Sequence, residues 1–436
     1  MTSGTLDGGP FSVDHPQQGC GSDRPVPCPA VGVVVQKFGG TSVADPERIR
    51  AVADHVARTR RRGEQVVVVV SAMGRETDEL LHLAHQVSRT RPGREMDMLI
   101  TAGERKATAL LCMALHDMGV PADSFTGSQA GFITDATHMN AKILEVRADR
   151  VREAVDAGRV PVVGGAQGVS AARDVTFLGR GGSDTTAVAL AEALGGVCEL
   201  YTDVSGVFTT DPRVVPTARR IGRISFDEML EMCAAGCPKP AMRAVEFART
   251  HGVRLHVRSA FTWEPGTWIT EEESDMEDAI VSGVVGDASE AKITIGGVPD
   301  QPGVAARVFR AMASADVNVD MIVQNVSEAQ VTDISFTLPA DDLDKCAQLA
   351  EALASDIGAS RVTPDASIAK VSLVGAGMKT NPGVAATVFE TLAANGINIE
   401  MISTSAIRIS VVVAGAECDR AVAVLHTAFG LDTPIR

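Results

Sequence analysis

The sequence has few of the features of membrane, secreted or nucleic-acid-binding proteins. It has no stretch near the roughly 18 uninterrupted apolar residues of a membrane-spanning helix, and it does not open with a charged region followed by an apolar core. Its 40 lysines and arginines are outnumbered by 55 aspartates and glutamates, and the net charge of −15 disfavours nucleic acid and acidic membranes as partners. We therefore expect a cytoplasmic protein that binds neither.

Closely spaced cysteines are almost absent as well. The eight cysteines are scattered, and the one close pair, Cys233 and Cys237, has no second pair with which to form a metal site. We expect reduced thiols that fill small apolar spaces, and no set of metal-ligating side chains.

The length of the chain exceeds that of one ordinary core. At 436 residues, with 45% hydrophobic and 22% charged residues, it predicts two or three globular domains. Residues 1–30 are rich in Gly, Pro, Ser, Asp and Gln and have almost no apolar periodicity, which predicts a disordered tail.

After this tail, apolar strand-like runs alternate with helical patterns. The predicted strands are 31–37, 64–70, 159–163, 199–203 and 253–258, and the predicted helices include 46–61, 80–87, 96–118 and 226–235. Such alternation predicts an α/β domain, residues 31–280, with a largely parallel open sheet sandwiched by helices. Ligands of such sheets collect beyond the carboxyl ends of the strands.

One glycine loop combines a cation and a carboxylate in front of a helix. In residues 179–186, Arg180 can bind a carboxylate and Asp184 an ammonium group, while glycine N–H groups and the helix N-terminus favour an anion. Ser183 is the expected N-cap of that helix. The loop therefore suits a zwitterion, although a tight turn in which Arg180 pairs with Asp184 is an alternative.

A second glycine loop follows the first strand. In residues 37–42, Lys37 places an ammonium group at a strand end beside Gly39 and Gly40, which suits a polyphosphate. The spacing is not that of a Walker-type loop, so a different phosphate cradle is required. A lysine, glycine N–H groups and Mg²⁺ would suffice for phosphoryl transfer.

The C-terminal part contains an internal repeat. Residues 302–309 and 382–389 are nearly identical, and 318–322 matches 398–402 in the same register. Each copy runs strand, helix, strand, strand, helix, which predicts two small α+β sandwiches of the ferredoxin type, at 281–364 and 365–436.

Taken in order, these motifs resemble the aspartate kinases of the amino-acid kinase family, fused to two ACT domains. The resemblance covers about residues 33–432 and rests on the segments Lys37-Phe-Gly-Gly-Thr-Ser, Ser71-Ala-Met-Gly, Thr101-Ala-Gly-Glu-Arg, Leu178-Gly-Arg-Gly-Gly-Ser-Asp-Thr-Thr and Tyr201-Thr-Asp-Val. It implies transfer of the γ-phosphoryl group of ATP, with Mg²⁺, to the β-carboxylate of L-aspartate.

The resemblance also implies roles for individual residues. The implied catalytic residues are Lys37, Arg180, Asp184 and Lys239. The implied aspartate-binding residues are Ser71, Thr77, Glu104, Arg180 and Asp184. The implied ATP-binding residues are Lys37, Gly39, Gly40, Ser42, Thr202, Asp203, Arg213 and Lys239. Two alternatives stay open, since Glu104 would also suit a solvated helix face, and Asp203 with Arg213 would suit a turn and the surface.

For the ACT pair, the resemblance implies regulation by lysine and/or threonine. The implied effector-binding residues are Asp300, Gln324, Asn325, Asn398 and Ile399, which would equally serve as turn formers in a purely structural pair. A sandwich of this size buries little by itself, so we expect a homodimer or higher oligomer through these sheets. A shorter ACT-only subunit from an internal start is an open alternative.

The chain departs from the family pattern near residue 236. Gly236-Cys-Pro-Lys239-Pro240 displaces the family's lysine by one position and brackets it with prolines, which would hold a rigid loop that re-aims Lys239. Met139 and Ala166 also differ from the family. These departures leave two alternatives, a catalytically weakened amino-acid-sensing subunit and a kinase for a modified amino acid.

Overall fold

The computed structural model describes Met1 and residues 32–271, 280–326 and 331–433. The expected disordered tail, apart from Met1, and nearly all of the acidic stretch that ends the first domain lie outside the described residues. None of the helices within these ranges is long and apolar enough to cross a membrane.

The first domain alternates strands and helices as predicted. Its strands are β1 (Val33–Phe38), β2 (Gln65–Val70), β3 (Ala122–Phe125), β4 (Phe132–Thr134), β5 (Ile143–Val146), β6 (Val160–Gly164), β7 (Gln167–Ser170), β8 (Val175–Phe177), β9 (Val197–Thr202), β10 (Arg223–Ser225), β11 (Leu255–Ser259) and β12 (Thr267–Thr270). Its helices are α1 (Pro46–Arg61), α2 (Glu76–Val87), α3 (Gly93–Asp117), α4 (Asp149–Asp156), α5 (Gly182–Leu194), α6 (Phe226–Ala234) and α7 (Met242–His251).

The main sheet has eight strands in the order β10-β12-β11-β9-β1-β2-β6-β3. Only β11 and β12 run antiparallel, and every other neighbouring pair is parallel. The predicted largely parallel sheet is therefore confirmed. Because β1, β2, β6 and β9 run in one direction, the loops that follow them meet at the same edge.

Helices cover both faces of this sheet. In β2, Val67 and Val69 join one hydrophobic cluster, with residues of α4 to α7, and Val66, Val68 and Val70 join another, with residues of α1 and α3. Alternate side chains of a strand point to opposite faces, so a strand that is apolar throughout is the one that suits a sheet buried on both sides. A small second sheet has the strand order β5-β4-β7-β8, and its strands come between β3 and β9 along the chain.

The C-terminal part forms two antiparallel four-stranded sheets with paired helices. Its strands are β13 (Gly283–Asp287), β14 (Glu290–Pro299), β15 (Ile322–Val326), β16 (Val331–Pro339), β17 (Arg361–Asp365), β18 (Ile368–Val374), β19 (Met401–Thr404) and β20 (Arg408–Ala414), and its helices are α8 (Val304–Ser314), α9 (Leu343–Ile357), α10 (Val384–Ala394) and α11 (Cys418–Ala428). The predicted order of strand, helix, strand, strand and helix is confirmed in each copy.

One strand belongs to a different copy from the one expected. The sheets have the orders β15-β16-β14-β17 and β13-β18-β20-β19, and β13 pairs with β18 from Gly283 opposite Val374 to Asp287 opposite Lys370. The linear division at 281 and 365 is therefore wrong for residues 283–287. Along the chain, β13 comes first, the whole first copy follows, and the other strands and helices of the second copy come last. The repeated segments do not show that β13 belongs to the second sheet.

Candidate active site

The centre of the site is an ion pair between β1 and the first turn of α5. Lys37 Nζ lies 2.5 Å from Asp184 Oδ1, and the two side chains are 6% and 5% exposed. Burial by itself would raise the pKa of Asp184, but the charges of Lys37 and Lys239 and the N–H of Ala241 together hold it below its ordinary value. Asp184 is therefore an ionised carboxylate inside the protein.

The loop that departs from the family pattern lies beside this ion pair. The N–H of Ala241 donates to Asp184 Oδ2 at 3.3 Å, and Lys239 is exposed two residues earlier. Both thiols of the close cysteine pair support the loop, since Cys233 Sγ donates to Pro240 O and Cys237 Sγ to the carbonyl of Lys239. The described cysteines form no disulfide.

The glycine loop before α5 is built differently from the prediction. The helix begins at Gly182, and Gly181, with a φ of +74°, precedes it without a side-chain cap. Ser183 is therefore not the N-cap, and its Oγ lies 2.9 Å from Ser71 Oγ instead. A Cβ on Gly181 would lie 2.7 Å from the Cβ of Ala241, so only glycine lets the two loops pack this closely.

Arg180 stands at the exposed mouth of this loop. The alternative in which it pairs with Asp184 is wrong, because Asp184 pairs with Lys37. The backbone just before Arg180 is held by Arg243 of α7, whose Nη1 donates to Leu178 O at 2.7 Å and whose Nη2 donates to Ala141 O at 2.8 Å. Sequence reasoning missed Arg243, because no motif links it to the loop that it supports.

Glu104 is a buried carboxylate of α3. It is 4% exposed, and its Oε2 accepts a hydrogen bond of 2.8 Å from Gln167 Nε2. Burial raises the pKa of Glu104 to about 8, against the opposing effects of Gln167, Arg105 and Lys37. The alternative of a solvated helix residue is therefore wrong. The sequence signal for Gln167 is its position directly after Ala166, one of the residues that depart from the family pattern.

The two other departures share a left-handed backbone. Met139 has a φ of +67° and Ala166 a φ of +58°. The N–H of Met139 donates to the fully buried Asp97 at 2.9 Å, and the N–H of Ala166 donates to Thr186 Oγ1 at 3.0 Å. These contacts stabilise a conformation that side-chain-bearing residues rarely adopt.

The loop after Lys37 packs against the turn that follows β2. A Cβ on Gly40 would lie 2.9 Å from Ala72 O and 3.0 Å from Gly74 O, so glycine is required there. Ser42 Oγ is buried and has no hydrogen-bond partner in the described part of the chain. An unpaired buried hydroxyl beside glycine N–H groups suits a ligand with oxygen atoms. Gly39 is half-buried, and Thr77 is half-buried at the start of α2.

The residues predicted on the nucleotide side lie at the end of β9 and in the segment that follows it. Thr202 Oγ1 donates to Val204 O at 3.0 Å, and Asp203 is exposed. Arg213 is exposed and forks onto Asp211, with Nη2 2.6 Å from Oδ2. These contacts match the alternative of a turn residue and a surface residue, and their part in ATP binding stays a prediction.

The predicted effector residues lie at exposed positions of the two copies. Gln324 and Asn325 are exposed on β15, an edge strand, and Asp300 is exposed just after β14. Asn398 is exposed and Ile399 half-buried before β19, the edge strand of the other sheet. Their role as effector-binding residues also stays a prediction.

Comparison with known proteins agrees with this organisation. Residues 32–259 match the amino acid kinase family, and residues 293–352 and 371–429 match the ACT domain. An aspartokinase of Mycolicibacterium smegmatis is 56% identical over 407 residues, which span 92% of this chain and 97% of that protein.

Solved structures are similar as well. The aspartate kinase of Synechocystis is 44% identical, with a TM-score of 0.52 over 92% of this chain and 70% of that one. E. coli aspartokinase III, in complex with lysine and aspartate in its T-state, is 25% identical, with a TM-score of 0.72 over 91% of this chain and 99% of that one.

Proposed function

Because the chain belongs to the amino acid kinase family and, within it, to the aspartokinases, we propose that it transfers the γ-phosphoryl group of ATP to the β-carboxylate of L-aspartate, giving 4-phospho-L-aspartate. The observation that carries the proposal is the buried Lys37–Asp184 ion pair, which lies between a glycine loop and the N-terminus of α5. Such a site places a lysine cation near glycine N–H groups and a helix N-terminus, which together suit phosphate groups in a place from which water is largely excluded.

We assign aspartate binding to one guanidinium group and two carboxylates of the site. The exposed guanidinium of Arg180 would fork onto a carboxylate of the substrate at the mouth of the loop. The carboxylates of Glu104 and Asp184 would face its ammonium group, and Ser71 and Thr77 would complete the pocket. The substrate ammonium favours the ionised form of Glu104, so binding should release a proton from this residue when the pH is below about 8.

Phosphate binding is assigned to the loop of Gly39, Gly40 and Ser42, with Lys37 and Lys239 as the cations. Transfer of a phosphoryl group needs positioning and neutralisation of charge more than covalent chemistry, and two lysines beside glycine N–H groups supply both. Thr202, Asp203 and Arg213 would hold the rest of ATP.

Mg²⁺ is assigned to the nucleotide phosphates, whose charge it would neutralise when bound. The described residues contain no group of three or more His, Cys, Asp or Glu side chains that could hold a metal ion. Mg²⁺ keeps several waters and commonly binds through substrate phosphates with only one or two carboxylates, so this chain fits a metal that arrives with ATP.

Regulation is assigned to the ACT pair, with lysine and/or threonine as effectors at Asp300, Gln324, Asn325, Asn398 and Ile399. The lysine complex of the E. coli relative supports an amino-acid effector. The exposed edge strands β15 and β19 support a homodimer or higher oligomer through these sheets, with or without a shorter ACT-only subunit. The proposed location is the cytoplasm.

A second candidate function is that of an amino-acid-sensing subunit with little turnover, and the displacement of Lys239 between two prolines favours it. A third is a kinase for a modified amino acid, and it rests on Met139 and Ala166, the two other departures from the family pattern.

One assay separates these functions. Release of ADP is measured with Mg-ATP and L-aspartate, alone and with lysine, threonine or both. Turnover that saturates with aspartate is the expected result. Ligand-dependent association without turnover would favour the sensing subunit, and preference for another amino acid would favour the modified substrate.

A further inference from the structure

The two ACT copies exchange ion pairs through equivalent residues. Lys292 and Lys370 each follow an alanine near the start of equivalent strands, β14 and β18. Asp320 and Glu400 each occupy the third position of the matching segments 318–322 and 398–402. Lys292 of the first copy pairs with Glu400 of the second, and Lys370 of the second pairs with Asp320 of the first at 2.6 Å. The pairs are thus related by an approximate twofold symmetry.

The surroundings of the two lysines break this symmetry. The side chain of Lys370 is 1% exposed, and its Nζ also lies 2.6 Å from Glu290 Oε1 and 3.3 Å from the carbonyl of Ala234 in the kinase domain. The side chain of Lys292 is 16% exposed, and its ion-pair partners in the described part of the chain, Glu400 and Asp365, both belong to the ACT pair. Only the Lys370 pair therefore reaches the kinase domain.

The contact of Lys370 is the last of a series along one face of α6. Glu228 Oε1 accepts from the N–H of Ala376 at 3.1 Å, and Glu231 Oε2 lies 3.1 Å from Arg408 Nη1. Ala234 follows three residues after Glu231, as Glu231 follows Glu228, and this spacing places all three on neighbouring positions of the helix surface. Helix α6 is thus attached to the second ACT copy from its first turn to its last residue.

The loop that leaves α6 leads directly to the active-site ion pair. A Cβ on Gly236, whose φ is +115°, would lie 2.8 Å from the Cβ of Asp287 in β13, so the loop begins in close contact with the second ACT sheet. It ends where the N–H of Ala241 donates to Asp184. Lys239 lies between these two attachments.

We propose that Lys370 is a positioning residue for the active site: by holding Asp320 and Glu290 of the first ACT copy against the carboxyl end of α6, it sets the position of the loop that carries Lys239. The inference rests on the proposed kinase function of that loop. Asp320 comes two residues before the start of β15, the strand of the predicted effector residues. A ligand that shifts the start of β15 would move Asp320, and Lys370 would pass the shift to α6.

The approximate symmetry supplies matched controls for this proposal. The test variants are Asp320→Asn and Lys370→Met, and the controls are Glu400→Gln and Lys292→Met, which make the same changes in the other pair. Asp320→Asn keeps the Lys370–Glu290 contact and so remains informative if Lys370→Met does not fold.

Two measurements are made on the full chain. Hydrogen exchange of the peptide that covers residues 235–243 should be faster in both test variants than in the wild type, and unchanged in both controls. In the ADP-release assay, the test variants should lose about 10-fold or more in kcat with the KM for aspartate within about threefold, and the controls should stay within about twofold in both constants.

Equal effects of the two pairs, or unchanged exchange and kcat in the test variants, would overturn the proposal. If the wild type has no turnover, the proposed kinase function fails, and hydrogen exchange still decides whether Lys370 positions the loop.

Discussion

In the described part of the chain, the first ACT copy has exposed edge strands, β15 and β17, whereas the second copy makes direct contacts with the kinase domain. The N–H of Val284, in the strand that completes the second sheet, donates to Thr209 O at 2.7 Å, and Thr209 Oγ1 lies 2.9 Å from His426 Nε2 in α11. Val215 of the kinase domain is buried in the hydrophobic cluster of the second copy. The carboxylates of the first copy, by contrast, reach α6 through Lys370.

Two copies that share repeated motifs therefore have different mechanical roles. A change in the first copy has a direct route to the active site through the second copy, because the second copy is the one that holds α6. The difference arises from insertion: the strand β13 leaves the kinase domain and joins the second sheet before the first copy begins. Substitutions in the active site and in each copy should therefore differ in how strongly they change activity and stability.

The largest loss of activity should come from a substitution in the active site itself. This loss is the upper limit for what a substitution in either ACT copy can cause. Lys37→Met removes the cation of the buried pair and leaves Asp184 without its closest partner, so kcat/KM should fall by about 1,000-fold or more. Steady-state ADP release measures this. Lys106→Met, which removes a more exposed lysine that pairs with Glu76, should stay within about twofold and serves as the control.

The next largest effect concerns the loop through which the second copy reaches the site. If Lys239 meets the transferred phosphoryl group, Lys239→Met should lower kcat by about 100-fold and change the KM for aspartate much less, because the charge that it neutralises develops in the transition state. Equal kcat in mutant and wild type would reject this role for Lys239. The loop would then be a structural contact of the second ACT copy with no part in the chemistry.

The two lysines of the ACT pair should differ in stability as they do in burial. Lys370→Met leaves two carboxylates near the kinase interface without their cation and should cost about 3 to 5 kcal/mol of unfolding free energy. Lys292→Met affects a more exposed pair and should cost about 1 kcal/mol or less. Urea unfolding of the full chain measures both, and equal shifts in the two midpoints would remove the distinction between the copies.

The sequence predicted the elements better than the contacts between them. Helix α1 begins at Pro46 as predicted, because its signals are local: Asp45 caps it by accepting from the N–H of Arg48 at 2.9 Å, and proline suits the first turn. The parallel sheet followed from continuous apolar runs. The positions of Lys37 at a strand end and Asp184 at a helix start followed from their glycine-rich motifs, whereas the functional roles of Lys37, Arg180 and Asp184 stay predictions.

The parts that could not be predicted depend on long-range packing. The pairing of Asp184 with Lys37 rather than with Arg180, the contact of Gln167 with Glu104, and the pairing of β13 with β18 all join residues that are far apart in the chain. Ser183 satisfied the pattern of an N-cap, but its hydroxyl meets Ser71 on a neighbouring strand end instead. In each case a tertiary contact decided between choices that local sequence treats as equal.

The last comparison separates the buried carboxylate of the kinase domain from the buried lysine of the ACT pair by their response to pH. Glu104 has its pKa raised from 4.5 to about 8 by burial, so between these values it is protonated in the native state and ionised in the unfolded state. Glu104 should therefore make the unfolding free energy fall as the pH rises through this window. The KM for aspartate should also fall as the pH approaches about 8, because the substrate ammonium pairs with the ionised carboxylate.

Lys370 should contribute nothing to that pH dependence. Burial alone would lower the pKa of Lys370, but the carboxylates of Asp320 and Glu290 raise it above 10.5, so its charge is constant between pH 4.5 and 8. The contribution of Glu104 is measured as the difference between the wild type and Glu104→Gln in the pH dependence of the unfolding free energy. The fall that Glu104 causes between pH 4.5 and 8 should be absent in the variant. Lys370→Met should lower the whole stability curve and keep its slope. Equal slopes in the wild type and Glu104→Gln would contradict this prediction, and the native carboxyl of Glu104 would then have to be ionised despite its burial.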